Sequence, residues 1–185
     1  LAGTFESMSS ISRKKMMQKF QDIYKPSNMV LAVVGKADFS ELCKFCESKF
    51  PKEKGQVPRF EIKLKEGQKV EKRKGIDQAS LVFAYHSPLA KDKLSYAAEI
   101  LIAMMAEGLS SRLFTEIREK RNLAYAVKGS METTKDFSYS QIYVGTNKEN
   151  MEKIKELILK EFSDVAKNLD EKELNSVKEQ LIGKY

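Results

Sequence analysis

The chain contains 185 residues, of which 42% are hydrophobic and 32% are charged, a balance typical of a folded globular protein rather than a disordered one. Lysine and arginine number 33 against 26 aspartates and glutamates, so the net charge is +7. No apolar run approaches the roughly 18 residues that a membrane-spanning helix requires, and the length suffices to bury the core of one large domain or two small ones.

The N-terminal part of the chain predicts a helix, a buried strand and a second helix. Apolar residues recur at helical spacing over 12–24, and the run MVLAVV over 29–34 is typical of a buried strand. Asp38 and Glu41 form a capping-box pattern, which predicts a helix that extends to about Phe50.

A polar segment, PKEKGQVPR, follows this helix and marks a change in composition. We therefore expect a domain boundary there, with one domain over 1–55 and a second over 56–185. The chain begins at Leu1 without an initiator methionine and ends at Tyr185 within a helical pattern. From these ends we expect the chain to be a segment of a larger protein.

The middle of the chain predicts two strands and two helices. The stretch FEIKL over 60–64 alternates as a half-exposed strand does, and ASLVFAY over 79–85 is more apolar. Leucine, alanine, isoleucine and methionine then share one face of a predicted helix over 92–107. A turn at GLSS, whose serines suit a helix N-cap, precedes a short helix to about Lys120.

The C-terminal part predicts a hairpin and two helices. Strands over 124–134 and 139–146 are separated by KDFS, and so short a connection indicates an antiparallel pair. An amphipathic pattern follows over 151–165, and Asp170 with Glu173 marks the start of a last helix. Because strands cluster and then helices cluster, the sequence predicts an α+β fold with helices layered on a mainly antiparallel β-sheet.

Few residues suit metal or nucleophilic chemistry. Cys43 and Cys46 form a C-x-x-C, but a zinc site would need two further ligands, and the chain has one histidine and no other cysteine. Helical spacing places Cys46 beside Leu42 and Phe45, which favours a packing role. His86 has no nucleophile or metal partner nearby in sequence. The chain also lacks a glycine-rich phosphate loop, a G-x-S-x-G elbow and an H-x-x-E-H motif.

The positive charge could indicate a nucleic-acid partner. However, lysine and glutamate alternate along stretches such as NKENMEKIKELILKEF, which is typical of a solvated helix surface. The densest basic run, KVEKRKG, has no interleaved aromatic residues. A nucleic-acid-binding module therefore ranks last among the hypotheses, and a steep salt dependence of binding would distinguish it.

Three stretches carry a resemblance to a known family. They are GTFESMSSISRKKMMQKFQDIYKPSNMVLAVVGKAD, GLSSRLFTEIREKRNLAYAV and IYVGTNKENMEKIKELILKE. The first resembles the segment that ends the catalytic domain of the pitrilysin and insulinase-type zinc metallopeptidases, which include the mitochondrial processing peptidases. The second resembles the signature of that family's second, non-catalytic domain, and the third fits the strand and helix after it. The resemblance covers nearly the whole chain.

The resemblance implies that the two parts of the chain belong to two different domains of the enzyme. Residues 1–55 would close the catalytic-type domain, and 56–185 would form most of the non-catalytic, substrate-gripping domain, truncated at its C-terminus. The full enzyme would hold zinc through an H-x-x-E-H motif and a further acidic ligand upstream of this chain, with no metal site in the chain itself. Two halves would close like a clamshell around an extended peptide, which adds as a strand to a sheet edge.

The family's second half lends an arginine and a tyrosine to the catalytic cavity, and Arg118 and Tyr125 match those places. Water attack on a peptide carbonyl creates negative charge on oxygen, which a guanidinium or a phenol can stabilise. From spacing alone, Arg118 could instead be a solvated helix residue paired with Glu116 or Glu119, and Tyr125 a half-buried strand residue. Elsewhere in the signature, we interpret Glu119, together with Arg112 and Arg121, as a surface or structural residue.

Two functions follow from the resemblance. The chain would be part of a zinc metalloendopeptidase, inactive by itself, or alternatively a non-catalytic partner or scaffold subunit of a processing-peptidase-like heterodimer. Its partners would be a peptide substrate and the catalytic half or subunit of the same enzyme, in a homo- or heterodimer, with no nucleic acid and no membrane. The small number of cysteines and the many lysines and glutamates favour an intracellular, cytoplasmic location.

Overall fold

A computed structural model of the protein describes residues 3–51, 62–75 and 78–184. The chain divides into two compact units, Leu1–Glu61 and Ile62–Tyr185. The boundary expected between 55 and 56 lies outside the described residues. The assignment of the two parts to a catalytic-type and a substrate-gripping domain stays a prediction.

The described part of the first unit contains three helices, α1 (Phe5–Ser9), α2 (Arg13–Ile23) and α3 (Phe39–Lys49), with a 3₁₀ turn at Pro26–Asn28. The two longer helices match the sequence prediction. Asp38 caps α3 as expected, because its carboxylate accepts a hydrogen bond of 2.9 Å from the backbone N–H of Glu41. Local sequence signals therefore suffice to place these helices.

The buried strand expected over 29–34 is wrong in this structure. These residues belong to no strand, and Val30 and Val34 are 96% and 101% exposed. A strand needs a hydrogen-bonding neighbour, and the described residues of the first unit contain no other strand. The packing role expected for Cys46 fails for a related reason, since no residue of α3 is buried and Phe45 is 56% exposed.

The second unit is a three-stranded sheet with helices. Its strands follow the order β1-β3-β2 and are all antiparallel. This arrangement confirms the predicted α+β class and the predicted hairpin. The described part of the strand expected over 60–64, residues 62–64, forms no strand, and its beginning lies outside the described residues. In chain order the elements are β1 (Ala79–His86), α4 (Leu94–Ala106), a π-helical segment (Phe114–Glu119), β2 (Ala124–Thr133), β3 (Ser138–Thr146), α5 (Met151–Lys167) and α6 (Glu171–Ile182).

The core of the second unit lies between the inner face of the sheet and the helices. Ile142 and Val144 of β3 are fully buried beside residues of α4 and α5, such as Ile102 and Ile158. At Gly129 the sheet approaches α4 so closely that a Cβ atom would lie 2.8 Å from the Cβ of Ala106. The opposite, outer face of the sheet carries the exposed positions of β1 and β2.

Among the described residues, no helix has the length and the apolar character that a membrane span would require.

Candidate functional site

The site begins at the turn that joins the π-helical segment to β2. Asn122 adopts the left-handed backbone conformation, with a φ of 50°. Its N–H donates to the carbonyl of Arg118, and the N–H of Leu123 donates to the carbonyl of Ile117, each at 2.9 Å. The bond from Asn122 to Arg118 is that of the αL motif, in which a left-handed residue ends the helix and sends the chain into the next element. The turn therefore places Arg118 at the end of the helix and Tyr125 at the start of the strand.

Side chains from β3 and the following turn hold this connection. The carbonyl oxygen of Leu123 accepts a hydrogen bond of 2.5 Å from the hydroxyl of Thr146 and another of 3.2 Å from the amide of Asn150. Thr146 is almost completely buried. The connection between Arg118 and Tyr125 is thus anchored to the sheet rather than suspended as a free loop.

Arg118 lies on the exposed side of the π-helical segment. Its guanidinium carbon is 5.0 Å from the centroid of the Phe114 ring, a cation–π distance. Glu116 instead binds Lys120 and Arg121, and within the described parts of the chain Arg118 forms no ion pair. The structure therefore does not have the alternative arrangement, in which Arg118 pairs with Glu116 or Glu119. The guanidinium of Arg118 has no carboxylate partner among the described residues.

Tyr125 lies on the outer face of the sheet and is 43% exposed. A β-bulge inserts it between two residues of β2 that pair with β3, so that two residues of β2 face Gly145. Its ring lies directly over Gly145. The pKa of the Tyr125 phenol is raised, first by partial loss of hydration and then by a hydrogen bond and charge repulsion with Tyr143. The phenol therefore stays protonated at neutral pH and can act as a donor.

The two predicted site residues occupy opposite ends of one anchored turn. Among the described interactions, none joins the Arg118 side chain directly to the Tyr125 side chain. The π-helical geometry just before the turn is a form that often occurs at functional sites. The arrangement thus has two separate exposed hydrogen-bond donors, a guanidinium and a phenol, at the two ends of the turn.

The remaining charged residues of the signature are structural. Arg112 donates to both carboxylate oxygens of Glu173, at 2.7 and 2.6 Å, and to Asp164 at 2.7 Å. It thereby ties the helix after Gly108 to α5 and α6. Arg121 donates to the carbonyl oxygen of Glu116 at 2.8 Å and also binds its carboxylate.

The burial of Glu161 and its proximity to Arg112 were not evident from the sequence. Glu161 of α5 is buried, and its pKa is raised first by loss of hydration and next by the charge of Glu116. Arg112 lies 3.8 Å from it. These partners are far apart in sequence, so only the helical packing brings them together.

The residues considered for metal binding do not form a site. Cys43 and Cys46 are free thiols on α3, and the exposed His86 has its Nε2 atom 3.4 Å from the carbonyl oxygen of Lys65. Throughout residues 3–51, 62–75 and 78–184, no group of three or more histidine, cysteine, aspartate or glutamate side chains is placed to hold a metal ion.

Relatives of the chain are named as zinc proteases. One from Bacillus subtilis, named the uncharacterized zinc protease YmxG, is 27% identical over 186 aligned residues that cover 99% of this chain and 45% of the relative. An uncharacterized zinc protease from Rickettsia felis is 26% identical, with 98% and 44% covered. A relative from Helicobacter pylori is 25% identical, with 98% and 43% covered, and is named the non-peptidase homolog YmxG. The chain therefore spans less than half the length of these relatives.

Solved structures share the fold. A peptidase M16 inactive domain from Pseudomonas fluorescens superimposes with a TM-score of 0.79 at 24% identity, over 98% of this chain and 45% of that one. A chain of Complex III2 from Candida albicans superimposes with a TM-score of 0.83 at 18% identity, over 97% of this chain and 45% of that one. The sequence profile of the peptidase M16 inactive domain matches residues 10–181. The chain belongs to the peptidase M16 inactive domain family.

Proposed function

We propose that this chain is part of a zinc-dependent endopeptidase and supplies the residues that hold the peptide at the reacting carbonyl. Arg118 and Tyr125 carry this role. The observation that supports it most is their placement: two exposed donors at the ends of one anchored turn, the arginine without an acidic partner among the described residues.

The chemistry of peptide hydrolysis explains why these two residue types are needed. Attack of water on the carbonyl carbon breaks the C=O π bond and leaves negative charge on the oxygen. A donor placed in advance near that oxygen stabilises the transition state more than it stabilises the substrate. An arginine guanidinium is charged at all working pH values. A tyrosine phenol is protonated at neutral pH, and the raised pKa of Tyr125 acts in the same direction.

The metal belongs to another part of the enzyme in this proposal. Relatives named as zinc proteases are more than twice as long as the part that this chain matches. When bound there, zinc would supply the activated water and polarise the carbonyl. The two halves would enclose an extended peptide, in one homodimeric enzyme or in a heterodimer.

The first unit supports the presence of another half. Residues 29–34 are apolar and exposed, and Leu31 and Val33 remain 62% and 51% exposed. Apolar residues of this kind are normally covered by a neighbouring element. We infer that the catalytic-type domain covers this segment in the complete protein.

Kinetics of the complete peptidase test the proposal. We expect Tyr125→Phe and Arg118→Ala each to lower kcat by about a hundredfold, because each removes one donor to the oxyanion. KM for a fluorogenic peptide should change much less than kcat. Thermal unfolding should be nearly unchanged, since both side chains are exposed.

Matched variants separate this effect from a general disturbance. Lys120→Ala removes a cation from the same helix end, and Tyr139→Phe removes a phenol from the same face of β3. Both should retain the wild-type kcat. A wild-type kcat in both Tyr125→Phe and Arg118→Ala would show that neither side chain takes part in catalysis and would contradict the proposal.

A second candidate is a non-catalytic partner subunit. The names of the Helicobacter pylori relative and of the Candida albicans complex favour it. In that case the complete protein would lack a zinc motif of its own and would bind peptide without cleaving it. Zinc analysis of the complete protein, alone and with its copurified partner, decides between the two candidates.

A further inference from the structure

The position of the Tyr125 ring depends on the absence of a side chain at residue 145. A Cβ atom at Gly145 would lie 2.5 Å from both Cε2 and Cζ of Tyr125 and 2.7 Å from its hydroxyl oxygen. Real Cβ atoms do not approach other atoms so closely, so any residue other than glycine would displace the phenol. Gly145 is buried although it faces outward, because the ring covers it. The Tyr125 ring therefore packs directly on the backbone of Gly145.

A second residue of β3 lies beside the phenol. Tyr143 shares the outer face with Tyr125 and is one of the causes of the raised pKa of the Tyr125 phenol. On its other side the Tyr143 hydroxyl is 3.3 Å from the hydroxyl of Ser80 on β1. Tyr143 therefore lies between a hydroxyl of β1 and the phenol of Tyr125 on β2, on the same face of the sheet.

We propose that Tyr143 and Gly145 are positioning residues that fix the Tyr125 phenol on the outer face of the sheet, aimed at the carbonyl oxygen of a bound peptide. This inference rests on the proposed function of Tyr125 and adds two residues to which the resemblance assigns no role. Gly145 sets the height of the ring above the sheet, and Tyr143 sets the direction of the hydroxyl. Both act through Tyr125 rather than on the substrate.

The protonation of Tyr125 provides a readout that is independent of activity. The titratable side chains that face it on the described outer face are Tyr143 and, opposite Tyr143 on β2, Lys128. Tyr143 raises the pKa of Tyr125, so its removal as Tyr143→Phe should lower that pKa toward the ordinary tyrosine value. NMR titration of the protein with ¹³Cζ-labelled tyrosine measures this shift, and Tyr125→Phe identifies the signal. Tyr139→Phe serves as the control and should leave the shift unchanged.

Kinetics of the complete peptidase then test the positioning role. We expect Tyr143→Phe to lower kcat about five- to tenfold, the factor expected when one hydrogen bond is lost. In a background that already contains Tyr125→Phe, the same change should have no further effect on kcat, because Tyr143 acts through Tyr125. An equal loss in both backgrounds, or an unchanged kcat and pKa in Tyr143→Phe, would overturn the inference.

A pair of glycine variants tests the contact between the Tyr125 ring and Gly145. Gly145→Ala should lower kcat by about a hundredfold, because the ring must move by roughly an ångström. Gly129→Ala places a methyl group against Ala106 in the core instead. It should lower the unfolding temperature but keep the wild-type kcat below that temperature. Wild-type kcat in folded Gly145→Ala would overturn the role of the glycine.

Different results would contradict the proposed function of Tyr125 and the positioning role of Tyr143 and Gly145. If Tyr125→Phe is as active as the wild type, the proposed function of Tyr125 is wrong, and the positioning role falls with it. If Tyr125→Phe is slow while Tyr143→Phe and Gly145→Ala are unchanged, the proposed function stands and only the positioning inference is wrong.

Discussion

Arg112 illustrates how one side chain of the signature holds three elements together. Its side chain is 15% exposed, and it binds Glu173 on α6 with two hydrogen bonds and Asp164 on α5 with one. Paired carboxylates of this kind need their arginine, because removal of the cation leaves acidic groups close together and partly buried. Arg112 therefore contributes to stability, in contrast to the exposed Arg118.

We expect Arg112→Ala to lower the free energy of unfolding by about 2–4 kcal/mol, since it breaks a largely buried ionic cluster. Urea unfolding of the chain measures this change. As a control, Lys184→Ala removes an exposed pair, in which Lys184 Nζ lies 2.5 Å from Glu107, and should cost less than about 1 kcal/mol. Equal losses in the two variants would show that the cluster around Arg112 has no special weight.

Residue partnerships across long stretches of chain were beyond prediction from the sequence. Arg112 is separated from Asp164 and Glu173 by 52 and 61 residues, and nothing in the local pattern relates them. The sequence suggested Glu173 as part of a capping box, but its carboxylate binds Arg112 and the cap is made by Asp170 alone. Likewise, Tyr125 was identified from its signature, whereas its contacts with Gly145 and Tyr143 depend on strand register.

At the scale of elements, the αL turn at Asn122 fixes the spacing of the two proposed site residues. The left-handed conformation costs an ordinary L-residue about 1–2 kcal/mol, whereas asparagine tolerates it and glycine adopts it freely. The identity of residue 122 therefore influences both the stability of the turn and the geometry of the site.

We expect Asn122→Val to lower the free energy of unfolding by about 1–2 kcal/mol, because a β-branched side chain disfavours this conformation. Asn122→Gly is the matched control and should be as stable as the wild type. Thermal unfolding by circular dichroism measures both variants. A valine variant with wild-type stability would mean that the turn is not held in the left-handed conformation.

The success of the element prediction varied with the range of the interactions involved. The helices α2, α4, α5 and α6 follow from local periodicity and caps, and the hairpin of β2 and β3 follows from its short connection. The strand over 29–34 failed because strand formation depends on a neighbour, and apolar character alone does not provide one. The bulge that turns Tyr125 outward is equally a property of strand pairing rather than of a single segment.

At the scale of the whole molecule, the two units are unequal in how much apolar surface they bury. The second unit has a packed core of isoleucine, leucine, valine and methionine side chains, whereas the described part of the first unit has no buried residue. Together with coverage of less than half of each relative, this difference supports the proposal that another part of the complete protein covers the first unit. The cytoplasmic location inferred from composition stays a prediction.

The central claim is that Tyr125 stabilises the transition state rather than the bound substrate. It is tested most directly by the affinity of the complete peptidase for a phosphinic peptide, whose tetrahedral phosphorus mimics the attacked carbonyl. We expect Tyr125→Phe to weaken the binding of this mimic by about a hundredfold. Without zinc, the variant and the wild type should bind the uncleaved peptide with equal affinity. Equal affinity of the wild type and Tyr125→Phe for the mimic would contradict the account.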